Sequence, residues 1–265
     1  MRSLAASRYY ALFFVALALW LQGCGNPLGI GGASDGPGAA AASEYQQDVS
    51  FLYDSVTNIV VEVAYEPGAE PYTSNLRSGE PLWSVAAENI HALFSRRARV
   101  PTVSVPTTLT QMKALLTQNR ASWTIDDILA VANTQRSAGS TLDAAHYFIL
   151  FVKGRYREGG SDQPDVLGVQ ITGTSIIAIF KDVVRAQNIN PFSPSLRYIE
   201  QATLVHELGH GMGLVNHGVP LTSSHHDSQH GAHCSNPHCV MNWQNEGATD
   251  FVDYIQNVIE SGNKV

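Results

Sequence analysis

Short apolar, β-rich runs fill the first two-thirds of the chain, and residues at helical spacing lie between and after them. Residues 56–65 are rich in Val and Ile and stop at Glu66-Pro67-Gly68, which predicts a first strand. Leu82, Val85, Ala86, Ile90, Leu93 and Phe94 recur at helical intervals, so 82–97 predicts a long amphipathic helix. Residues 100–105 alternate beside prolines, a second strand, and 122–132 opens on Ser122 with Asp126 and Asp127 early, a shorter helix. The apolar run 146–152 predicts a buried central strand. A polar turn over 159–164 leads to strands over 166–172 and 175–181. Leu196, Ile199, Thr203, Leu204 and Leu208 predict another helix, with Ser193 as N-cap and Pro194 in its first turn. It should end near Met212, with Gly213 in the left-handed cap position. Phe251, Val252, Tyr254, Ile255, Val258 and Ile259 predict a C-terminal amphipathic helix over 250–259.

The N-terminus has a different texture. Arg2 and Arg8 accompany an apolar run over 11–21, too short for the ~20 residues a membrane span needs. Leu21-Gln22-Gly23-Cys24 resembles a bacterial lipobox. That resemblance implies a signal peptide over 1–23, lipidation of Cys24, and stable anchoring, because several acyl chains hold where one does not. Gly25, rather than an aspartate, after Cys24 implies the outer membrane of a bacterial envelope, periplasmic or surface-facing. Residues 24–43 are Gly, Ala, Pro and Ser with little bulky apolar content and read as a flexible tether. Loss of Arg2 and Arg8 removes two positive charges and moves the formal charge from −7 to −9. An acidic surface argues against nucleic acid and anionic headgroups as partners and suits a cationic peptide. Residues 44–265 suffice for one sizeable core.

The chemistry concentrates late. Eight of the ten histidines fall between positions 206 and 238, a density that solvated surface rarely needs. His206 and His210 stand four apart on the predicted helix, so both imidazoles can face one ion. Zinc suits neutral imidazole and keeps a position open for water, whose pKa it lowers. Glu207 faces the same space without being needed as a ligand, which makes it the candidate general base.

From His206 the chain resembles the metzincin metallopeptidases, whose pattern is HExxHxxGxxH with a later Met-turn. The match runs through Gly213, the glycine turn; the third-ligand position then holds Asn216, and a histidine follows one residue late at His217. Downstream, His233-Cys234-Ser235-Asn236-Pro237-His238-Cys239-Val240-Met241 resembles the archaemetzincin continuation HCx4CxM. This implies His233 as third zinc ligand, Met241 as Met-turn, and 214–232 as an insertion. A loop of that length closes at small entropic cost. His217 stays open as an alternative ligand, then His230 or His226; His217 otherwise reads as a cation near a helix end. Asp227 could orient a ligand imidazole or cap a turn, and His146 reads as structural.

The metzincin resemblance implies an α+β or α/β zincin: a mixed, mostly parallel five-stranded twisted sheet, an active-site helix and a small C-terminal subdomain ending in a helix. The upper subdomain would span 44–213 and the lower 214–265. Strand 166–172 would lie antiparallel at the sheet edge and add extended peptide. Cys234 and Cys239, close in sequence and in an oxidising compartment, are expected to form a disulfide. Archaemetzincins carry further cysteines for a structural zinc, and none follows Cys239; a mixed second site with His238 stays open. The expected function is a zinc-dependent endopeptidase with one catalytic ion and a peptide or protein substrate. The rivals are a non-catalytic His-rich metal-binding lipoprotein and an adhesion module on a degenerate protease scaffold.

Overall fold

The computed structural model describes residues 49–187 and 195–245. The signal and tether, Ser193, Pro194 and the helix expected over 250–259 lie outside the described residues. A short helix α1 (Ser50–Asp54) leads into strand β1 (Asn58–Tyr65), helix α2 (Ser84–Phe94) and strand β2 (Thr102–Ser104). Strands β3 (Lys113–Ala114) and β4 (Ser122–Trp123), helix α3 (Ile125–Gln135) and strand β5 (Ala144–Val152) follow. Next come strands β6 (Arg155–Glu158), β7 (Ser161–Gln163), β8 (Gly168–Gln170) and β9 (Ile176–Phe180). The chain continues through α4 (Lys181–Ala186), α5 (Ser195–Gly211), β10 (His226–Asp227) and β11 (His233–Cys234).

The main sheet runs β2-β1-β5-β9-β8, with β1, β2, β5 and β9 parallel and β8 antiparallel to β9 at the edge. All five expected strands are there. A sixth, β3, pairs parallel with the far end of β1, through Ala64 and Tyr65, beyond the reach of the three-residue β2. Phe148 to Val152 and all of β9 are buried, as a parallel sheet covered on both faces requires. Helix α5 packs on β8 and β9 and against α2, while α3 packs on β5 and β9. Trp83, Trp123, Tyr147, Phe94, Phe151 and Phe180 are the bulkiest fully buried aromatics in the core, and their burial supplies much of its hydrophobic stabilisation.

The structure corrects two local expectations. The polar turn over 159–164 is the tip and returning strand of a hairpin: Gly159 and Gly160 both have positive φ, 58° and 84°, the geometry of a two-residue primed turn. Helix α3 begins later than expected because Ser122 and Trp123 are taken by a strand pairing with β6. Thr124 then caps the helix in a reciprocal box with Asp127.

Candidate metal centre

Helix α5 is buried on more than one side, with Ile199, Ala202, Leu204 and Leu208 in the core and Met212 just past its end. Its polar residues are buried too: His206 is 0% exposed, Glu207 3% and His210 7%. The i, i+4 geometry brings the His206 and His210 Nε2 atoms to 3.0 Å. The helix closes in a Schellman motif, with Gly213 N–H donating to His210 O (2.9 Å) and Leu214 N–H to Gly209 O (3.0 Å). Gly213 takes φ +80°, as the cap expectation required. Two tyrosines that sequence reasoning missed finish this end: Tyr147 donates to Gly211 O (3.1 Å) and Tyr53 to Met212 O (2.9 Å). They satisfy terminal carbonyls that a helix cannot pair internally.

The third histidine arrives on a ribbon. Strands β10 and β11 pair antiparallel, with Asp227 opposite His233 and His226 opposite Cys234. His206, His210 and His233 then form a buried group whose ligand atoms all lie within 4.8 Å of one another. Backbone carbonyls fix two tautomers. The Val240 carbonyl lies 2.7 Å from His206 Nδ1, and the His230 carbonyl accepts from His233 Nδ1. With each Nδ1 carrying its proton, each Nε2 lone pair is left to ligate, the usual arrangement behind a metal-bound imidazole.

The Val240 carbonyl is itself held, and so is the backbone around it. Asn245 Nδ2 donates to Val240 O (2.8 Å) and Cys239 O (3.0 Å), and Asn242 Nδ2 to Cys234 O (2.8 Å). Cys234 N–H donates to Met241 O at 2.7 Å. Met241 is buried and packs against the helix at Gly209. Neither asparagine announces itself in the sequence, because each acts through a backbone carbonyl that no motif encodes.

The other expected residues fall outside the three-histidine group. His217 is half-buried with its ring 5.7 Å from that of His210. It is carried there by Val215 and Asn216, both left-handed at φ 54° and 65°. Burial, with His233 nearby, pushes the His217 pKa down. His226 Nε2 meets Gly231 O, while His230 pairs with Asp227 (2.7 Å) and stacks on Trp243. Asp227 thus steadies His230, whose carbonyl holds His233.

The expected Cys234–Cys239 disulfide is corrected: both cysteines are free thiols. They lie in contact, with Cys234 buried in the ribbon, and burial and the neighbouring Cys234 push the Cys239 thiol up to about 11. A thiol whose pKa is raised by burial carries little thiolate, so Cys239 is a weak nucleophile for exchange.

Two cavities flank the histidines. One of about 360 Å³ is lined by Val49, Thr172, Thr174, His210, Asn216 and His217. The other, about 400 Å³, is lined by Tyr156, Glu158, Gln163, Glu207, His210 and His233. Edge strand β8 borders the second, and its Gly168 backbone comes so close to α5 that a Cβ there would meet Thr203 Cγ2 at 2.9 Å. Three convergent imidazole nitrogens, two of the rings oriented by backbone carbonyls, fit zinc, and His210 and His233 face the cleft.

No family model and no curated protein matches the chain. Among solved structures it is similar to a zinc-dependent peptidase from Methanocorpusculum labreanum (strain Z), at 14% identity and a TM-score of 0.38, over 73% of this chain and 92% of that one.

Proposed function

We propose that the chain is a zinc-dependent endopeptidase, with His206, His210 and His233 holding one catalytic ion and Glu207 as general base. The observation that carries this is the convergence of the three buried imidazoles beside a cleft that Glu207 also lines. Zinc bound there supplies a Lewis acid that polarises a peptide carbonyl and acidifies water. Glu207 accepts a proton from the attacking water at its carboxylate and delivers it to the leaving amine. Strand β8, at the sheet edge among the described residues, would pair with an extended peptide and align the scissile bond with Glu207. Met241 serves as the apolar floor beneath the histidines. Lipidation at Cys24 would tether the enzyme to a bacterial envelope.

The test is zinc stoichiometry on the untagged chain from Glu44, with peptide hydrolysis, for the parent, His217→Ala, His233→Ala and Glu207→Gln. The proposal expects one zinc per chain, lost in His233→Ala and kept in His217→Ala. Glu207→Gln should keep zinc and lose about 10²–10⁴-fold in turnover. Several weakly held ions would favour the metal-buffering reading. Absence of bound metal would favour a non-catalytic scaffold.

A further inference from the structure

The two arms of the cleft differ in charge, and the difference lies on the β6–β7 hairpin. We propose that the arm under this hairpin is a subsite for a basic side chain of the substrate, Lys or Arg, with Glu158 as its anionic partner. The proposal rests on the peptidase reading and names the substrate class for that site.

Side chains alternate across a strand, so Tyr156 and Glu158 share one face of β6 while Arg155 and Arg157 share the other. Tyr156 and Glu158 both line the cavity, together with Gln163, which stands opposite Tyr156 in the ladder. The arginine next to Glu158 in sequence is committed elsewhere: Arg157 bonds Asp162 Oδ1 at 3.2 Å and Gly160 O at 2.7 Å across the hairpin. Among the described residues no Lys or Arg lines either arm. The carboxylates lining the hairpin arm are Glu207, beside the imidazoles, and Glu158, exposed on the hairpin.

Burial raises the Tyr156 phenol pKa, and the charge of Glu158, on the same face of β6, adds to the rise. A Lys or Arg side chain can lay its methylene stem along Tyr156 and Val166 while its charged end reaches Glu158. The Tyr156 ring adds cation–π attraction if the charged end lies over its face. An acidic substrate side chain would meet an uncompensated like charge there.

The experiment uses zinc-loaded Glu207→Gln protein and blocked octapeptides in which each position in turn is Lys, norleucine or Glu. Calorimetry reads binding, and hydrolysis by the parent is read separately. At one peptide position Lys should bind about three- to tenfold tighter than norleucine, the size of a solvent-accessible charge pair, and Glu should bind weakest. Glu158→Gln should abolish that discrimination while leaving norleucine peptides unaffected, and Glu158→Lys should invert it. Equal binding of the three peptide sets, a preference unchanged in Glu158→Gln, or no peptide binding at all would overturn the subsite. The preference with no hydrolysis by the parent would keep the subsite and overturn the peptidase reading instead.

Discussion

The Met241 thioether occupies the space a side chain at Gly209 would need. A Cβ built at 209 would overlap Met241 Sδ and fall 3.1 Å from its Cε and 3.4 Å from Leu214 Cδ1. The helix that carries His206 and His210 and the loop that carries His233 and Val240 therefore meet through a methyl-sized absence. Met241 is 2% exposed, and a small cavity of about 70 Å³ lined by Gly209, Leu214, Val240 and Met241 lies beside the contact.

Gly209→Ala should push the Met241 thioether toward that cavity, destabilise the fold by about 1 kcal/mol, the low end of overpacking, and weaken zinc binding by shifting the loop. Thermal melting of the metal-free protein and a competitive zinc titration read the two effects. A variant that melts like the parent and binds zinc as tightly would show that the loop is not seated on Gly209.

Asn245 reaches the candidate metal centre at one remove, through the Val240 carbonyl that orients His206. Asn245→Ala should lower zinc affinity by about 10–100-fold, the usual effect of losing a supporting hydrogen bond behind a ligand. Chelator competition measures this directly. Unchanged affinity would confine the residue to a role in the loop's own stability.

Lys181 and Glu200 form an ion pair with both side chains 0% exposed, and Glu200 also accepts from Tyr72 N–H at 2.7 Å. Burial drives the carboxyl pKa up and the ammonium pKa down, each shift opposed by the partner. Lys181→Met should cost about 3–5 kcal/mol by leaving a buried carboxyl without its cation, whereas Lys181→Met with Glu200→Leu should recover most of the loss. A double-mutant cycle in denaturant gives both numbers. Additive losses would mean the two groups are not coupled.

The Asp127 carboxyl is raised by desolvation, but hydrogen bonds from Thr124 and the charge of Arg120 outweigh this and hold its pKa below the ordinary value. A depressed carboxyl contributes stability above its unfolded pKa, about 3.9, and loses it as pH falls through the lower folded value. Thr124→Ala should therefore narrow the stability difference between pH 6 and pH 3. Parallel pH profiles for parent and variant would show that the cap contributes nothing to acid sensitivity.

Strands β1, β5 and β9 and helices α2 and α5 were legible because each buries a long periodic apolar set that leaves few other conformations. The β6–β7 hairpin was not, since its strands are short, polar and largely exposed, and its turn glycines also suit an irregular loop. Among the site residues, His206, Glu207 and His210 could be named because a helix fixes their relation over four residues. His233 was reached through a motif resemblance and left beside His217, His226 and His230.

The sequence by itself determined the local geometry: which runs are strands, which helix carries two histidines on one face, and that Gly213 ends it. Only the tertiary structure decided what crosses the chain. It brought His233 into the buried group by a ribbon register, left His217 beside it, and kept Cys234 and Cys239 as thiols. It also set Tyr53, Tyr147 and Asn245 on backbone carbonyls. The physical reason is range: helical and strand periodicity is written in neighbouring residues, whereas these contacts depend on how distant segments pack, and a backbone carbonyl has no letter of its own.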